Sequence, residues 1–329
     1  ISSAFLLNGN TVSFHLQSHV SNLKSIIIDP WITATNFPGA GANKAYDVEC
    51  DVLGNVYVYG GDFPYLVKKY SNVGALQWTY ITPFPNNFPS DFTVDARSGR
   101  SYITEGVSFS TAGIRKVNTI GTQIASYAGS QVEEIWRIEF DYCNNRLVMG
   151  GGNTSVNRQA CIIDTNLAGA TFSAVNVLGA TAGQLGHDLG LLALDNSGLC
   201  YMATSRQGSG SLNFNNVMLR LPLPTLSPTT YQVNDGHTFQ ELTSIPYFAG
   251  GAMGNGFNGM AATPTTLLTY DGQILKSWNP VNGAFINQVN TGGSVFASGG
   301  LDIDCNGNIY AGVGNSIKVY SSALALLNT

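Results

Sequence analysis

The stretch D-V-E-C-D-V-L-G-N-V-Y-V-Y-G-G, residues 47–61, decides the fold of this chain because it recurs near the other end. The second copy, L-D-I-D-C-N-G-N-I-Y-A-G, occupies residues 301–312. Each copy has an apolar strand ending in Asp, a turn with Gly three residues later, and a second strand with Tyr six residues later. Asp accepts backbone hydrogen bonds in tight turns, and Gly tolerates a positive φ. The phrase therefore predicts a β-hairpin.

Weaker copies of the phrase lie between these two. The six turn positions are, in chain order, Asp51, Asp95, Asp141, Asp195, Thr263 and Asp304. The steps between them are 44, 46, 54, 68 and 41 residues long. A repeat of about 40 to 50 residues is typical of β-propeller blades. The long fourth step indicates an insertion, which we place near residues 234–257.

A second hairpin follows the phrase, as in V-K-K-Y-S-N-V-G-A-L-Q-W at residues 67–78. Two hairpins make a four-stranded blade. The sequence thus predicts an all-β fold, a six-bladed β-propeller of four-stranded blades that occupies residues 41–329. Residues 1–40 fall outside the repeat. We expect them to form an N-terminal hairpin that caps the propeller or, alternatively, a seventh and degenerate blade.

The composition excludes several classes of protein. Charged residues make up 11% of the chain, so few Glu and Lys are present for the exposed faces of helices. The net charge is -5, with no cluster of Lys and Arg, which argues against nucleic-acid binding. No apolar run reaches the ~18 residues of a membrane span, so we expect no membrane insertion. Because the chain begins at Ile1, we expect a processed product of a longer precursor.

Two phrases of the repeat resemble known bacterial proteins. D-x-x-G-N-x-Y-x-x-G-G and K-x-Y-x-x-x-G-x-x-x-W resemble the bead-like repeats of NHL-type and related surface propellers. The runs at residues 26–31, 43–51 and 54–61 are similar to secreted cell-surface proteins of the Bacteroidota, which are associated with gliding motility and exported by the type IX secretion system. The resemblance implies an extracellular domain of a longer protein, whose partner is a surface glycan or another cell-surface protein.

Polar residues recur at the start of the innermost strand of each blade, about four residues before the turn position. These residues are Asp47, Asp91, Arg137, His187 and Asn258. They are expected to face one another at the mouth of the central channel, where a propeller binds ligands. Like charges on Asp47 and Asp91 need water, a cation or Arg137 as compensation. A ligand with hydroxyls or a positive charge therefore suits the mouth better than an anion. The alternative is a water-filled channel with hydrated charges.

The final copy of the phrase also contains a calcium candidate. Asp302, Asp304 and Asn306 match the first half of a calcium loop, in which carboxylate and amide oxygens alternate. The twelfth position, which is Glu in a complete loop, is Val313. A plain turn is the alternative, and the sequence indicates no other cofactor.

Two classes of function remain open. No G-x-S-x-G nucleophile elbow is present, which favours an extracellular binding or structural module that acts in adhesion over an enzyme. The alternative is a carbohydrate-active enzyme such as a polysaccharide lyase or hydrolase, because propellers host such chemistry. Its acidic candidates outside the turn pattern are Asp62, Glu105, Glu133 and Glu134. A third possibility is a lyase resembling the streptogramin-inactivating propellers, which would need a metal and His187 or His237 at the channel mouth.

Overall fold

The chain divides into two compact units, Ile1–Thr33 and Ala34–Thr329. The computed structural model describes residues 3–8, 11–16, 37, 45–84, 90–106, 112–129, 134–152, 158–176, 189–204, 217–223, 225–226, 229–232, 259–270, 272–293, 300–304, 306–314 and 316–329. The first unit contains a hairpin of β1 (Ser3–Asn8) and β2 (Thr11–Leu16), which pair antiparallel. Asn8 pairs with Thr11, so two residues connect the strands.

The described residues of the second unit form six antiparallel sheets of four strands each. Blade 1 comprises β3 (Ala45–Cys50), β4 (Val56–Gly60), β5 (Leu66–Tyr70) and β6 (Leu76–Ile81). Blade 2 comprises β7 (Phe92–Asp95), β8 (Arg100–Thr104), β9 (Ala112–Val117) and β10 (Gln123–Gly129). Blade 3 comprises β11 (Glu134–Asp141), β12 (Arg146–Gly152), β13 (Ala160–Asp164) and β14 (Ser173–Val175).

The remaining three blades follow in chain order. Blade 4 comprises β15 (Leu189–Leu194), β16 (Leu199–Thr204), β17 (Val217–Pro222) and β18 (Thr229–Gln232). Blade 5 comprises β19 (Gly259–Thr263), β20 (Thr266–Tyr270), β21 (Ile274–Trp278) and β22 (Phe285–Asn290). Blade 6 comprises β23 (Leu301–Ile303), β24 (Ile309–Val313), β25 (Ser316–Tyr320) and β26 (Leu326–Asn328).

Each blade is a simple meander, because strands that are consecutive in the chain are neighbours in the sheet. The first strands of successive blades contact one another and surround the axis. The fold is therefore a six-bladed β-propeller of four-stranded blades, and this prediction is confirmed. The seven-blade alternative is wrong, because among the described strands β1 and β2 pair only with each other.

Helix is nearly absent from the described residues. A single 3-10 turn, Gly169–Thr171, lies between β13 and β14. The part of the chain that the structure describes contains no helix with the length and hydrophobicity needed to cross a bilayer.

The hydrophobic core lies between the blades, in clusters that each join two successive blades. Between blades 1 and 2, for example, Tyr57, Tyr59 and Val67 pack with Phe92 and Ile103. All five side chains are almost completely buried. Burying a side chain of this size contributes about 1.5–3 kcal/mol, so these clusters hold neighbouring blades face to face.

The turn of the repeated phrase is built by its aspartate. In blade 1, Asp51 Oδ1 accepts hydrogen bonds from the backbone N–H groups of Leu53 and Asn55, both at 3.0 Å. The Tyr57 hydroxyl donates to Asp51 Oδ2, also at 3.0 Å. Gly54 has a φ of 77°, which a side chain would disfavour. The residue types that define the phrase are thus those that this turn requires.

The same contact recurs in the other blades. The backbone N–H two residues later donates to the carboxylate of Asp95, Asp141, Asp195 and Asp304. In blade 5 the Thr263 hydroxyl accepts the equivalent bond, from the N–H of Thr265 at 3.4 Å. The six turn positions are therefore structurally equivalent, including the faint copy.

The two faces of the propeller differ in the connections that they carry. The turns of the repeated phrase and of the second hairpin lie at one face, which we call the turn face. First strands begin at the opposite face, which we call the long-loop face. Connections of twelve residues or more, at 176–188, 205–216 and 233–258, all join strand ends at the long-loop face. The predicted insertion at 234–257 lies outside the described residues, between β18 and β19.

Candidate functional site

Carboxyl groups from three blades meet near the axis. They belong to Asp47 and Glu49 in β3, to Asp91 just before β7, and to Glu139 in β11. We call these four residues the axial carboxylate cluster. Alternate residues of a strand point to the same face, so Asp47 and Glu49 project together. The same alternation places Arg137 and Glu139 together on β11.

Asp91 is the most buried member of the axial carboxylate cluster, with a side chain that is 7% exposed. Its Oδ2 atom accepts a hydrogen bond from the backbone N–H of Ile138 at 3.2 Å. Arg137 Nη1 lies 3.7 Å from the same oxygen. Asp91 Oδ1, in contrast, accepts no hydrogen bond from an N–H group or a hydroxyl of the described residues. Water does not reach this atom, and a proton held by the neighbouring Asp47 carboxyl can satisfy the Asp91 carboxylate.

Asp47 and Asp91 form a coupled pair within hydrogen-bonding reach of each other. Burial raises the pKa of Asp47 well above its usual range, and the negative charge of Asp91 raises it further, whereas Arg137 lowers it. Burial also raises the pKa of Asp91, although Arg137 and the Ile138 N–H oppose this effect. Two carboxyls so close favour a state in which one proton is retained.

Glu49 and Glu139 extend the cluster along the axis. Burial raises the pKa of Glu49, the charge of Glu139 adds to the effect, and a hydrogen bond from Thr93 Oγ1 at 3.1 Å opposes it. Burial and the charge of Asp91 raise the pKa of Glu139 to about 8. The cluster is therefore partly protonated near neutral pH.

Water reaches only part of this cluster. Asp47, Glu49 and Glu139 are half-buried, with some surface exposed to solvent, yet protein atoms surround them on most sides. Asp91 is buried. Asp91 does not fit the alternative of a water-filled channel with hydrated charges, because it interacts with protein groups and not with bulk water.

The structure brings together three of the five residues predicted at the channel mouth, Asp47, Asp91 and Arg137. The other two, His187 and Asn258, lie outside the described residues. Sequence reasoning missed Glu49 and Glu139. The period of two along a strand could have found them, because each lies two residues after a predicted residue of the same strand.

One residue of the calcium candidate, Asp304, forms the turn of its hairpin. Asp304 Oδ1 accepts the backbone N–H groups of Asn306 and Asn308, both at 2.8 Å. The Asn308 amide and the Tyr310 hydroxyl donate to its Oδ2. Asp302 is exposed, and its charge contributes to the raised pKa of Glu139. The described residues contain no group of three His, Cys, Asp or Glu side chains arranged to hold a metal ion.

Three of the four acidic residues proposed for an enzyme lie outside the axial carboxylate cluster. Glu134 accepts a hydrogen bond from Trp136 Nε1 at 3.0 Å, and Glu105 is buried beside Gly113. Asp62 is half-buried in the connection between β4 and β5. Glu133 lies outside the described residues.

Comparison with known proteins identifies the fold but not a family. No family model matches the chain, and no curated protein matches it. Solved structures do match, in 986 chains. One of them is a streptogramin B lyase. It aligns with a TM-score of 0.55 and 14% sequence identity, over 85% of this chain and 78% of the lyase chain. At this identity the likeness shows the β-propeller fold alone, and a fold so widely shared does not select a function.

Proposed function

We propose that this chain is an extracellular binding module of a bacterial cell surface, which takes a surface glycan at its long-loop face. The observation that carries the proposal is the axial carboxylate cluster, in which Asp47, Glu49 and Glu139 are half-buried and keep some surface exposed to solvent. The carboxylates of the turn face accept hydrogen bonds within their own hairpins. Those of the cluster retain acceptors for the hydroxyl groups of a sugar.

The position of the cluster supports a binding role. Asp47 and Asp91 precede their turn aspartates by four residues, which places them toward the long-loop face. Ligand sites occur preferentially where variable connections are held on a rigid scaffold. The low content of charged residues and the resemblance to secreted surface proteins of the Bacteroidota, with their link to gliding motility and type IX secretion, support the extracellular location.

A glycan array with wild-type and variant proteins tests this proposal. We expect Asp47→Asn combined with Asp91→Asn to weaken glycan binding at least tenfold, because the paired carboxylates are lost. Asp62→Asn is the matched control, since it removes one negative charge from the same face outside the cluster. If binding survives the double change and disappears when residues 234–257 are shortened, the insertion is the site. Binding to another surface protein instead of any glycan would replace the proposed ligand.

A carbohydrate-active enzyme is the second candidate, because one observation favours it. Carboxyls that are coupled and have raised pKa values are typical of acid–base catalysis, and the pKa of Glu139 is about 8. Such an enzyme would release reducing ends or unsaturated sugars from a polysaccharide that it binds. Turnover that is abolished in Glu139→Gln, with glycan affinity unchanged, would favour the enzyme. Binding without turnover favours the module.

A further inference from the structure

Apolar side chains are exposed at the tips of three hairpin turns on the turn face of blades 1 and 2. Each of these side chains is 56–74% exposed. They are Val52, Leu53, Val73 and Ile120. We call these four residues the turn-tip patch.

The patch is one continuous surface. Within blade 1, a side chain on Gly54 would come within 3.3 Å of Asn72 Cβ, so the two turns of that blade are in contact. Between blades 1 and 2, Trp78 Nε1 donates a hydrogen bond to the Thr119 carbonyl at 2.9 Å. Ile120 directly follows Thr119, so its turn lies against blade 1. The members of the patch are therefore neighbours and not scattered exposed residues.

The turns do not need apolar side chains at these positions. Leu53 takes part in its turn through its backbone N–H, which donates to Asp51. In blade 6 the equivalent residue is Asn306, whose N–H makes the same bond to Asp304. Gly, Asn, Asp, Ser and Pro are the usual residues of such turns. An exposed apolar surface that the local fold does not require is typical of an interaction site.

The patch also lacks exposed charge. The three turns that carry it contain one charged residue, Asp51, which is buried. In the adjoining first turn of blade 2, Arg97 Nε lies 3.2 Å from Asp95 Oδ1. Arg100 is placed toward blade 3, where its charge acts on Lys116. An anionic membrane or a charged partner would need charges that these three turns do not present.

We infer that the turn-tip patch is a contact surface between two copies of this chain, related by a two-fold axis. A two-fold contact pairs a surface with itself, so an uncharged apolar patch meets an uncharged apolar patch although the chain has a net charge of -5. Interfaces between identical chains are also more apolar than other interfaces. The inference goes beyond the proposed function and does not rest on it. In this dimer both long-loop faces stay accessible, so binding there would be bivalent.

The area of the patch sets the strength of the dimer. Burying a Val, Leu or Ile side chain removes roughly 60–120 Å² from water, so the four exposed side chains offer roughly 200–300 Å² per copy. A stable complex of standard size buries about 800 Å² per partner, of which about 65% is apolar in homodimers. We therefore expect a weak dimer with a dissociation constant of about 10–100 µM.

Sedimentation velocity of the full chain over about 1–200 µM tests the inference. We expect the wild-type protein to pass from monomer to dimer within this range. Leu53→Asn combined with Ile120→Asn should raise the dissociation constant at least tenfold, because both substitutions suit the turns and remove apolar surface. Val281→Asn is the matched control, since Val281 is a turn residue of blade 5 with 72% exposure that lies outside the patch. It should leave the dissociation constant unchanged.

Three results would overturn the inference. They are a wild-type chain that stays monomeric at about 200 µM, a dimer that survives the double substitution, and a control that weakens the dimer as much as the double variant does. Urea unfolding checks that the double variant is folded, and if it is not, Val73→Ser takes its place with the same expected direction. Flotation of the wild-type protein, but not of the variant, with phosphatidylcholine vesicles would assign the patch to a lipid surface and contradict the dimer.

Discussion

The turn aspartates and the axial carboxylate cluster use the same chemical group for opposite purposes. Asp47 and Asp51 are four residues apart on one strand and the turn that follows it. Burial raises the pKa of Asp51, but hydrogen bonds from Asn55, Tyr57 and Leu53 lower it below its ordinary value. Burial and a neighbouring carboxylate raise the pKa of Asp47. The supply of donors, and not burial alone, decides whether a carboxylate stabilises the fold or remains available for a ligand.

The largest loss of stability is expected when the turn aspartate that is replaced is deeply buried. Asp51→Ala leaves the backbone N–H groups of Leu53 and Asn55 without their acceptor, and it leaves Lys69 without the carboxylate that lies 3.8 Å from its Nζ. The Lys69 and Asp51 side chains are 6% and 3% exposed. Breaking a buried pair in this way costs about 3–5 kcal/mol, which urea unfolding would measure.

The last blade supplies the control for this prediction. Asp304→Ala removes the equivalent carboxylate from a less buried turn, where water can replace the lost acceptor. We expect a clearly smaller loss of stability than for Asp51→Ala. Equal losses of stability in the two variants would show that burial of the turn aspartate does not decide how much it contributes.

The two sets of carboxylates should impose opposite pH dependences on stability. The folded pKa of Glu139 is about 8 against an ordinary 4.5, so its contribution is fully present below about pH 4.5 and is lost as the pH rises toward 8. The lowered pKa of Asp51 has the reverse effect, because its contribution is present above about pH 4 and is lost as the pH falls. We therefore expect maximum stability near pH 5.

Glu139→Gln measures how much the axial carboxylate cluster contributes to the pH dependence of stability. It should remove about 2 kcal/mol of the difference in unfolding free energy between pH 5 and pH 8, less than the full pKa shift implies, because the carboxyl is partly exposed to water. Denaturant unfolding at both pH values measures the difference. A wild-type protein that is equally stable at pH 5 and pH 8 contradicts the prediction.

The smallest change in stability is expected from altering the pair of carboxyls formed by Asp47 and Asp91. Asp47→Asn replaces a carboxyl that must either retain a proton or repel Asp91, and it supplies a permanent amide donor beside Asp91, so stability at pH 8 should rise by about 1 kcal/mol. Thermal unfolding at pH 8 would detect this rise. Asp62→Asn should leave the midpoint unchanged, and a decrease for Asp47→Asn would mean that the pair is not strained.

The repeated phrase was sufficient to predict the hairpins because its interactions are local. Asp51 contacts donors two to six residues away, and Thr263 accepts an equivalent bond from a residue two positions later. Local contacts leave a signature at a fixed spacing, and six copies of that signature define the number of blades. The two strands at the N-terminus lack the signature, which is why the seven-blade alternative could not be settled before the sheet pairing was known.

Sequence alone determined the six hairpin turns of this protein, and only the tertiary structure decided which acidic residues form a site. Asp47, Asp91 and Glu139 belong to three different blades, and no spacing within one blade relates their charges. Their properties arise from burial and from the mutual repulsion of groups that the closed ring of blades brings together. The hydrogen bonds of a turn join residues that are close in the sequence, so the sequence predicts them. Electrostatic coupling acts through space and depends on the fold.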